Sequence, residues 1–186
     1  MKARIMKAFL EEIQETSMKF TMDDLAKRLG ISKRTLYEHF SSKTEILDAI
    51  IDSTLREFDE KTEMIIQDPS LTLLEKIKSV ITVIPKYNDF YNWQILDQMR
   101  KSYPAQWERV HAALNEWDDL RALIEQGIRE GLIVNQNVSL LMKLIIDATN
   151  STMDRQFFLK NSITVTEALD SIVDILLFGF INKSPE

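Results

Sequence analysis

Residues 32–35 bring two hydroxyl groups and two cations together, two positions after Gly30. Hydroxyl groups can bond phosphate oxygens, while lysine and arginine can pair with phosphate or with the acceptor edge of guanine. Tyr37, His39 and Lys43 follow closely and add a phenol, an imidazole and a further cation. The chemistry that this stretch indicates is non-covalent binding of an anion, phosphate above all.

Two short amphipathic helices are predicted to position these side chains. The first begins after Thr21, which is a plausible N-cap, and ends at Gly30, which can take the left-handed backbone conformation of a helix stop. The second runs from Lys33 to His39, with Ser32 as its N-cap. The residues predicted to pack the two helices together are Leu25, Ala26, Leu29, Leu36 and Phe40.

Helix, glycine turn and helix together make a helix-turn-helix. In such units the second helix lies in the major groove of DNA, with its N-terminal residues facing base edges. The same spacing would also fit a basic, solvated face of a helical bundle that binds no DNA. Spacing alone therefore leaves both interpretations open.

The segment from Thr21 to Lys43 resembles the N-terminal domain of the TetR family of bacterial transcriptional regulators. The family pattern runs roughly T-x-x-D-I-A-x-x-A-G-V-S-x-x-T-L-Y-x-Y-F-x-S-K, and this chain follows it without a gap. The resemblance covers about residues 5–50. Two departures stand out: residues 16–19 replace the usual glycine turn after the first helix, and Arg34 occupies a position that is commonly small.

The resemblance assigns a role to each matching position. It implies contacts to the DNA backbone from Thr21, Thr35, Tyr37 and Lys43, and contacts to base edges from Ser32, Lys33 and Arg34, with His39 as a further candidate. Arg34 is expected to carry this chain's own sequence preference, whereas Lys43 should strengthen binding to every sequence. The DNA partner implied is a double-stranded operator with a palindromic sequence.

Composition and periodicity predict an all-α protein. The 186 residues include only four glycines and four prolines, too few for the tight turns of a β-sandwich or barrel. Apolar residues recur at helical spacing almost throughout, which predicts about nine helices. We expect a helix-turn-helix DNA-binding domain at residues 1–46 and a helical effector-binding and dimerisation domain at residues 47–186.

The net charge of −6 is unevenly distributed along the chain. Residues 1–46 hold nine Lys/Arg against seven Asp/Glu, and the rest holds 14 against 22, so a locally basic face is possible on an acidic body. Cysteine is absent, the N-terminus has no signal-peptide pattern, and the longest apolar run, residues 175–181, is far too short for a bilayer. A cytoplasmic protein without a membrane partner is expected.

A small-molecule effector and a second copy of the chain are the other expected partners. The resemblance implies an effector pocket between the middle helices, and aromatic and mixed polar residues there could line it: Phe90, Trp93, Met99, Trp107, Val110, His111, Leu114, Trp117, Asn150, Met153 and Phe157. Taken singly, a residue of this kind is more often ordinary core or surface. Residues 138–181 are expected to form a homodimer interface, because the apolar arc of the last helix is wider than one packing face needs; the alternative is that this arc faces the protein's own core.

No motif indicates catalysis. The chain lacks a P-loop, a G-x-G-x-x-G, an H-E-x-x-H and a G-x-S-x-G, and its two histidines have no ligand-spaced neighbours. We therefore expect no enzyme activity, no cofactor and no metal. The function predicted is a dimeric repressor released from its operator by a small-molecule effector. The alternatives are an activator on the same scaffold and a helical adaptor that no longer binds DNA.

Overall fold

The computed structural model describes residues 1–85, 87 and 92–180 and confirms the all-α class. The chain divides into two compact units, one made of residues 1–56 with 86–111 and the other of residues 57–85 with 112–186. The predicted boundary at residue 46 lies inside a helix, and the division into functional domains stays a prediction. Within the described ranges, no helix is long and apolar enough to span a membrane.

Eleven α-helices make up the described part of the chain. Their bounds are α1 Lys2–Thr16, α2 Met22–Leu29, α3 Lys33–Tyr37, α4 Lys43–Gln67, α5 Leu73–Ile81, α6 Trp93–Ser102, α7 Pro104–Asn115, α8 Asp118–Arg129, α9 Val138–Asn150, α10 Arg155–Asn161 and α11 Val165–Phe180. Single 3₁₀ turns at Ser17–Lys19 and Ser151–Met153 join α1 to α2 and α9 to α10. No extended strand occurs in the same ranges.

The helix count exceeds the expected nine because two long predicted helices are each broken. The first break is at Trp117, whose φ of −115° and ψ of 67° are not helical and whose indole nitrogen donates to the Ala113 carbonyl at 3.1 Å. The second break precedes Asp154, whose carboxylate accepts the Phe157 N–H at 3.1 Å and so begins α10. Apolar residues continue at helical spacing through both breaks, so periodicity could not reveal them.

The first unit buries the face of the helix-turn-helix that the sequence predicted to be core. Leu25 and Leu36 are fully buried, and Phe40 closes the same core. From α1, Phe9 packs edge to face on Phe20, with ring centroids 5.1 Å apart. Other large residues of this unit that are at most 2% exposed are Ile5, Ile13, Ile46, Leu47, Ile50, Ile51, Leu96, Met99 and Val110.

The second unit has its own apolar core, built from α5, α8, α9 and α11 and from Ile133 between α8 and α9. Its members are Ile77, Val80, Ile81, Leu120, Leu123, Ile124, Ile133, Leu141, Met142, Ile145, Ile146, Val173 and Leu177. Gly127 permits one close approach in this core, because an added Cβ there would lie 2.6 Å from Ile133 Cδ1. The core uses one face each of α9 and α11, which leaves the other faces of those helices for another role.

Candidate nucleic-acid interface

The start of α2 is fixed by a capping box. The Thr21 hydroxyl accepts the Asp24 N–H at 3.2 Å, and the Asp24 carboxylate accepts the Thr21 N–H at 2.9 Å and the Thr21 hydroxyl at 2.7 Å. The hydrogen bond from the Thr21 hydroxyl, and after it the bond from the Thr21 N–H, lower the pKa of Asp24. The carboxylate therefore stays charged and fixes Thr21 at the N-terminus of α2, where Thr21 is exposed to solvent.

The turn after α2 requires glycine for conformational reasons. Gly30 has a φ of 64° and a ψ of 32°, and a Cβ added there would meet nothing within 4 Å. The Ile31 N–H bonds the Ala26 carbonyl at 3.1 Å, and the Gly30 N–H bonds the Lys27 carbonyl at 3.0 Å. This pair of bonds is a Schellman motif, and it sets the direction in which α3 leaves the turn.

The short helix α3 begins at its predicted N-cap. Ser32 Oγ accepts the Thr35 N–H at 3.0 Å, and the two hydroxyl oxygens lie 2.8 Å apart. The helix ends at Tyr37 rather than at the predicted His39, because the His39 N–H bonds the Leu36 carbonyl in a tighter turn. Leu36 is the single buried residue of α3. The packing of α3 therefore depends on one side chain.

Six of the eight predicted DNA-contacting side chains lie at residues 32–39, and four of these six are exposed. Arg34 has 90% of its side chain exposed and Lys33 has 62%. Ser32 and Tyr37 are exposed, whereas Thr35 and His39 are half-buried. The structure thus presents hydroxyl and cationic groups beside the turn, as an interface with phosphate and base edges requires.

Each cation of α3 has an acidic neighbour. Lys33 forms an ion pair with Asp23 of α2, and Arg34 Nε lies 3.2 Å from Oε1 of Glu38, the residue that follows α3. Both pairs are exposed to solvent, so each contributes only a fraction of a kcal/mol, about 0.2–1. A DNA phosphate must therefore compete with the carboxylate for each cation.

Lys43 is held more firmly than the sequence suggested. Its Nζ donates to the Met18 carbonyl at 2.7 Å and to the Phe20 carbonyl at 2.6 Å, and lies 3.9 Å from the centroid of the Phe20 ring. Partial burial lowers the pKa of Lys43, and the Asp24 charge acts in the opposite direction. An ammonium has three N–H donors, so one remains for a phosphate. The predicted backbone contact stays a prediction.

The turn between α1 and α2 forms without the usual glycine. Ser17 takes a φ of 62° with a ψ of −159°, a positive-φ conformation that a residue with a Cβ rarely adopts. The Met18 N–H donates to Gln98 Oε1 of α6 at 3.0 Å. Because Lys43 bonds the carbonyl of that same Met18, the 3₁₀ turn is held from two sides.

Two arginines that the sequence analysis missed fix α1 against α2. Arg28 reaches Glu12 at 2.9 Å and Glu15 at 2.6 Å, and hydrogen bonds to Glu15 and then Glu12 raise its pKa. Arg4 donates to the Leu29 carbonyl at 2.8 Å. The acidic residues at helical spacing on α1 could have indicated a basic partner. Sequence spacing could not identify that partner, because Arg28 lies on another helix.

The residues predicted to line an effector pocket are divided between the two units. Trp93, Met99, Trp107, Val110 and His111 belong to the first unit, and Leu114, Trp117, Asn150, Met153 and Phe157 belong to the second. Phe90 lies outside the described residues. Met99 and Val110 are buried, Trp93, His111 and Phe157 are exposed, and the others are half-buried. The rings of Trp107 and His111 are tilted by 43° to each other, with centroids 5.2 Å apart.

Within the second unit, the sequence analysis missed a buried polar group on α4, the Thr62 hydroxyl. Trp117 packs against Phe58 of α4 at a ring-centroid distance of 6.2 Å. One turn further along α4, the hydroxyl of Thr62 is buried and has no hydrogen-bond partner among the described residues. The Asn150 amide donates to the Leu114 carbonyl at 3.2 Å, which leaves the side-chain oxygen of Asn150 to accept. Across the described ranges, no three His, Asp or Glu side chains meet as a metal site would need.

The comparisons with known proteins agree with this architecture. Residues 5–50 match the family model described as bacterial regulatory proteins, tetR family. The HTH-type transcriptional regulator YvaF of Bacillus subtilis (strain 168) is 32% identical over 180 residues, which cover 96% of this chain and 95% of YvaF.

Two solved structures share the fold at low sequence identity. The TetR family transcriptional regulator PfmR from Thermus thermophilus matches with a TM-score of 0.78 and 22% identity, covering 94% of this chain and 97% of PfmR. SmeT, the repressor of the Stenotrophomonas maltophilia multidrug efflux pump SmeDEF, matches with a TM-score of 0.71 and 15% identity, covering 99% of this chain and 92% of SmeT. The extent of the YvaF match, with the family model over the helix-turn-helix, decides the assignment: this chain belongs to the tetR family of bacterial regulatory proteins and is a transcriptional regulator.

Proposed function

We propose that this protein is a dimeric repressor that binds a palindromic DNA operator and is released by a small-molecule effector. The observation that carries the proposal is the start of α3, where Ser32, Lys33 and Arg34 are exposed. These residues directly follow the turn at Gly30 that joins the two helices of the helix-turn-helix. In a helix-turn-helix these positions face base edges. Because bacterial DNA lies in the cytoplasm, the protein is proposed to act there.

Dimerisation is supported by the outward faces of two helices of the second unit. Leu140 and Leu144 lie one turn apart on α9, and Ile175 and Phe178 lie about one turn apart on α11. All four are exposed large apolar side chains, although α9 and α11 each bury another face in the core. A second copy of the chain would cover these faces and make a four-helix bundle. A dimer would place two copies of α3 on two half-sites.

Repression is favoured over activation by the role of SmeT, a repressor with the same fold. A protein bound across a promoter blocks the polymerase without further contacts, whereas an activator needs a surface for the polymerase. Transcription from a promoter that carries the selected operator separates the two: added protein lowers the transcript in the first case and raises it in the second.

In vitro selection from a library of random DNA duplexes tests the proposal directly. The expected product is an inverted repeat whose half-site centres lie about 34 Å apart or a multiple of this distance. Selection of no sequence above background would contradict DNA binding and would favour the helical adaptor. Compounds can then be screened by their ability to release the protein from the selected duplex.

The surroundings of Thr62 support an effector site in the second unit. Among the described residues the buried Thr62 hydroxyl has no partner, which is costly to the free protein, and a polar group of a bound molecule could satisfy it. Phe58, one turn before Thr62 on α4, packs against Trp117 and offers apolar contact, and Asn150 of α9 offers a polar group in the same unit. An apolar or planar effector with one or two polar groups fits this set of side chains.

Replacement of Thr62 by valine, which has nearly the same shape, should therefore separate stability from response. The free energy of unfolding should rise by about 1 kcal/mol, because the variant no longer buries an unsatisfied hydroxyl. The effector concentration that releases the protein from DNA should rise at the same time. Urea unfolding and a DNA-release titration measure the two effects.

Thr54→Val is the matched control for this experiment. Thr54 is equally buried on α4, but its hydroxyl donates to the Ile50 carbonyl at 2.8 Å. The control should lose stability slightly and keep its response to the effector. Equal effects of the two substitutions on the effector response would contradict a role for Thr62.

A further inference from the structure

The ion pair between Lys33 and Asp23 joins the two helices of the hairpin across the turn. Lys33 is the first residue of α3, and Asp23 lies in the first turn of α2. Both side chains are substantially exposed, so a phosphate could approach either of them. In the free protein, therefore, the ammonium of Lys33 is paired with a carboxylate of its own chain.

Asp23 also lies close to the proposed path of the DNA backbone. It follows Thr21, the exposed N-cap of α2, by two positions, and Thr21 is a proposed phosphate contact. A carboxylate there repels phosphate, and it competes with phosphate for Lys33. Both effects act on DNA of any sequence.

We propose that Asp23 is a specificity-determining residue, which suppresses binding to non-operator DNA by holding Lys33 in an ion pair. This inference rests on the proposed function of the same surface. On an operator, hydrogen bonds from Lys33 to base edges offset the loss of the pair with Asp23. On other DNA the exchange replaces one carboxylate with one phosphate, so Lys33 gains little by leaving Asp23. The ion pair consequently widens the difference between the affinity for the operator and the affinity for other DNA.

The pair of Arg34 with Glu38 is not equivalent. Glu38 lies on the same turn of chain, four residues after Arg34, and Arg34 keeps nine tenths of its side chain exposed. Such a pair along one exposed helix is weak and shifts easily. The ion pair between Asp23 and Lys33 joins two helices and is therefore the more specific interaction. The family pattern allows any residue at the position of Asp23.

The test is a fluorescence-anisotropy titration of two duplexes of about 30 base pairs, one with the selected operator and one with its scrambled sequence. Asp23→Asn should bind the scrambled duplex at least about threefold more tightly than the wild type, and the ratio of operator to scrambled affinity should fall. The dependence of log affinity on log salt concentration for the scrambled duplex should steepen by about 0.9 per subunit, as expected for one more phosphate contact.

Two further variants isolate the mechanism. Asp97→Asn removes the same charge from another exposed aspartate that is paired with a lysine, on α6, and should leave the salt dependence unchanged. In a Lys33→Ala background, Asp23→Asn should no longer steepen the salt dependence, because the released cation is absent.

The inference is overturned if Asp23→Asn binds scrambled DNA no better than the wild type, or if it steepens the salt dependence equally with and without Lys33. A wild-type protein that binds neither duplex would instead remove the proposed function, on which the inference depends. A wild type that binds its operator while Asp23→Asn behaves identically would remove this inference alone.

Discussion

Replacing Leu36 by alanine is expected to lower the free energy of unfolding by about 2–5 kcal/mol and to abolish binding to the operator. Leu36 is fully buried and is the single core residue of the five-residue helix α3. A helix of this length is not stable without its packing. Loss of the side chain should therefore release α3 from the hairpin even where the rest of the unit stays folded. Urea unfolding and anisotropy with the selected duplex measure the two effects.

Leu36→Met provides the control, since a swap that conserves volume should cost less than about 1.5 kcal/mol and keep DNA binding. The comparison is made at a temperature where circular dichroism shows both variants to be folded. Wild-type affinity of folded Leu36→Ala would contradict the dependence of the interface on the packing of α3.

Placing aspartate at both Ile175 and Phe178 is expected to dissociate the dimer. These side chains are 73% and 82% exposed on α11, so in a monomer the change should alter the free energy of unfolding by no more than about 0.5 kcal/mol per site. In a dimer, each copy would bury two charged groups where it now buries two large apolar ones. We expect the dimer dissociation constant to rise at least about a thousandfold.

Sedimentation at several protein concentrations measures this change, and Met64→Asp is the control. Met64 is 74% exposed on α4, away from α9 and α11 in the sequence, and its replacement should leave the dimer intact. A wild type that sediments as a monomer at micromolar concentration, or a double variant that still dimerises, would rule out the proposed interface.

Sequence reasoning succeeded where the signal is local. The cap at Thr21, the stop at Gly30 and the N-cap Ser32 depend on residues a few positions apart, and all three are as predicted. The span of α4 was also predicted, because Pro69 prevents its continuation. The breaks at Trp117 and Asp154 were not predicted, since the apolar spacing on either side stays helical.

The side chains of the candidate interface were predicted, but their partners were not. The pairs of Lys33 with Asp23 and of Arg28 with glutamates of α1 join different helices, so they depend on how these helices pack. The bonds of Lys43 to two carbonyls depend on the path of the chain after Ser17, which turns without a glycine. Tertiary geometry of this kind has no signature in the local sequence.

Thr62 shows a different limit of the sequence. It follows Thr54 and Phe58 on α4 at the same spacing of four residues, so its burial could have been predicted from that spacing. Thr54 satisfies its hydroxyl on the preceding turn of the helix, whereas Thr62 does not. That difference is set by side-chain rotation, and only the structure distinguishes a threonine whose hydroxyl is paired from one whose hydroxyl has no partner among the described residues.

The central claim is that the start of α3 reads DNA, and one comparison of affinities tests it most directly. The double variant Lys33→Ala/Arg34→Ala is compared with Arg100→Ala/Lys101→Ala, a similarly exposed pair of cations on α6 that also faces an acidic partner. At fixed salt, the first variant should bind the selected duplex at least about a hundredfold more weakly than the wild type, because both half-sites lose their base-edge contacts. The second should bind within a fewfold of the wild type. Equal losses in the two variants, or no loss in the first, would contradict the assignment of this surface to DNA recognition.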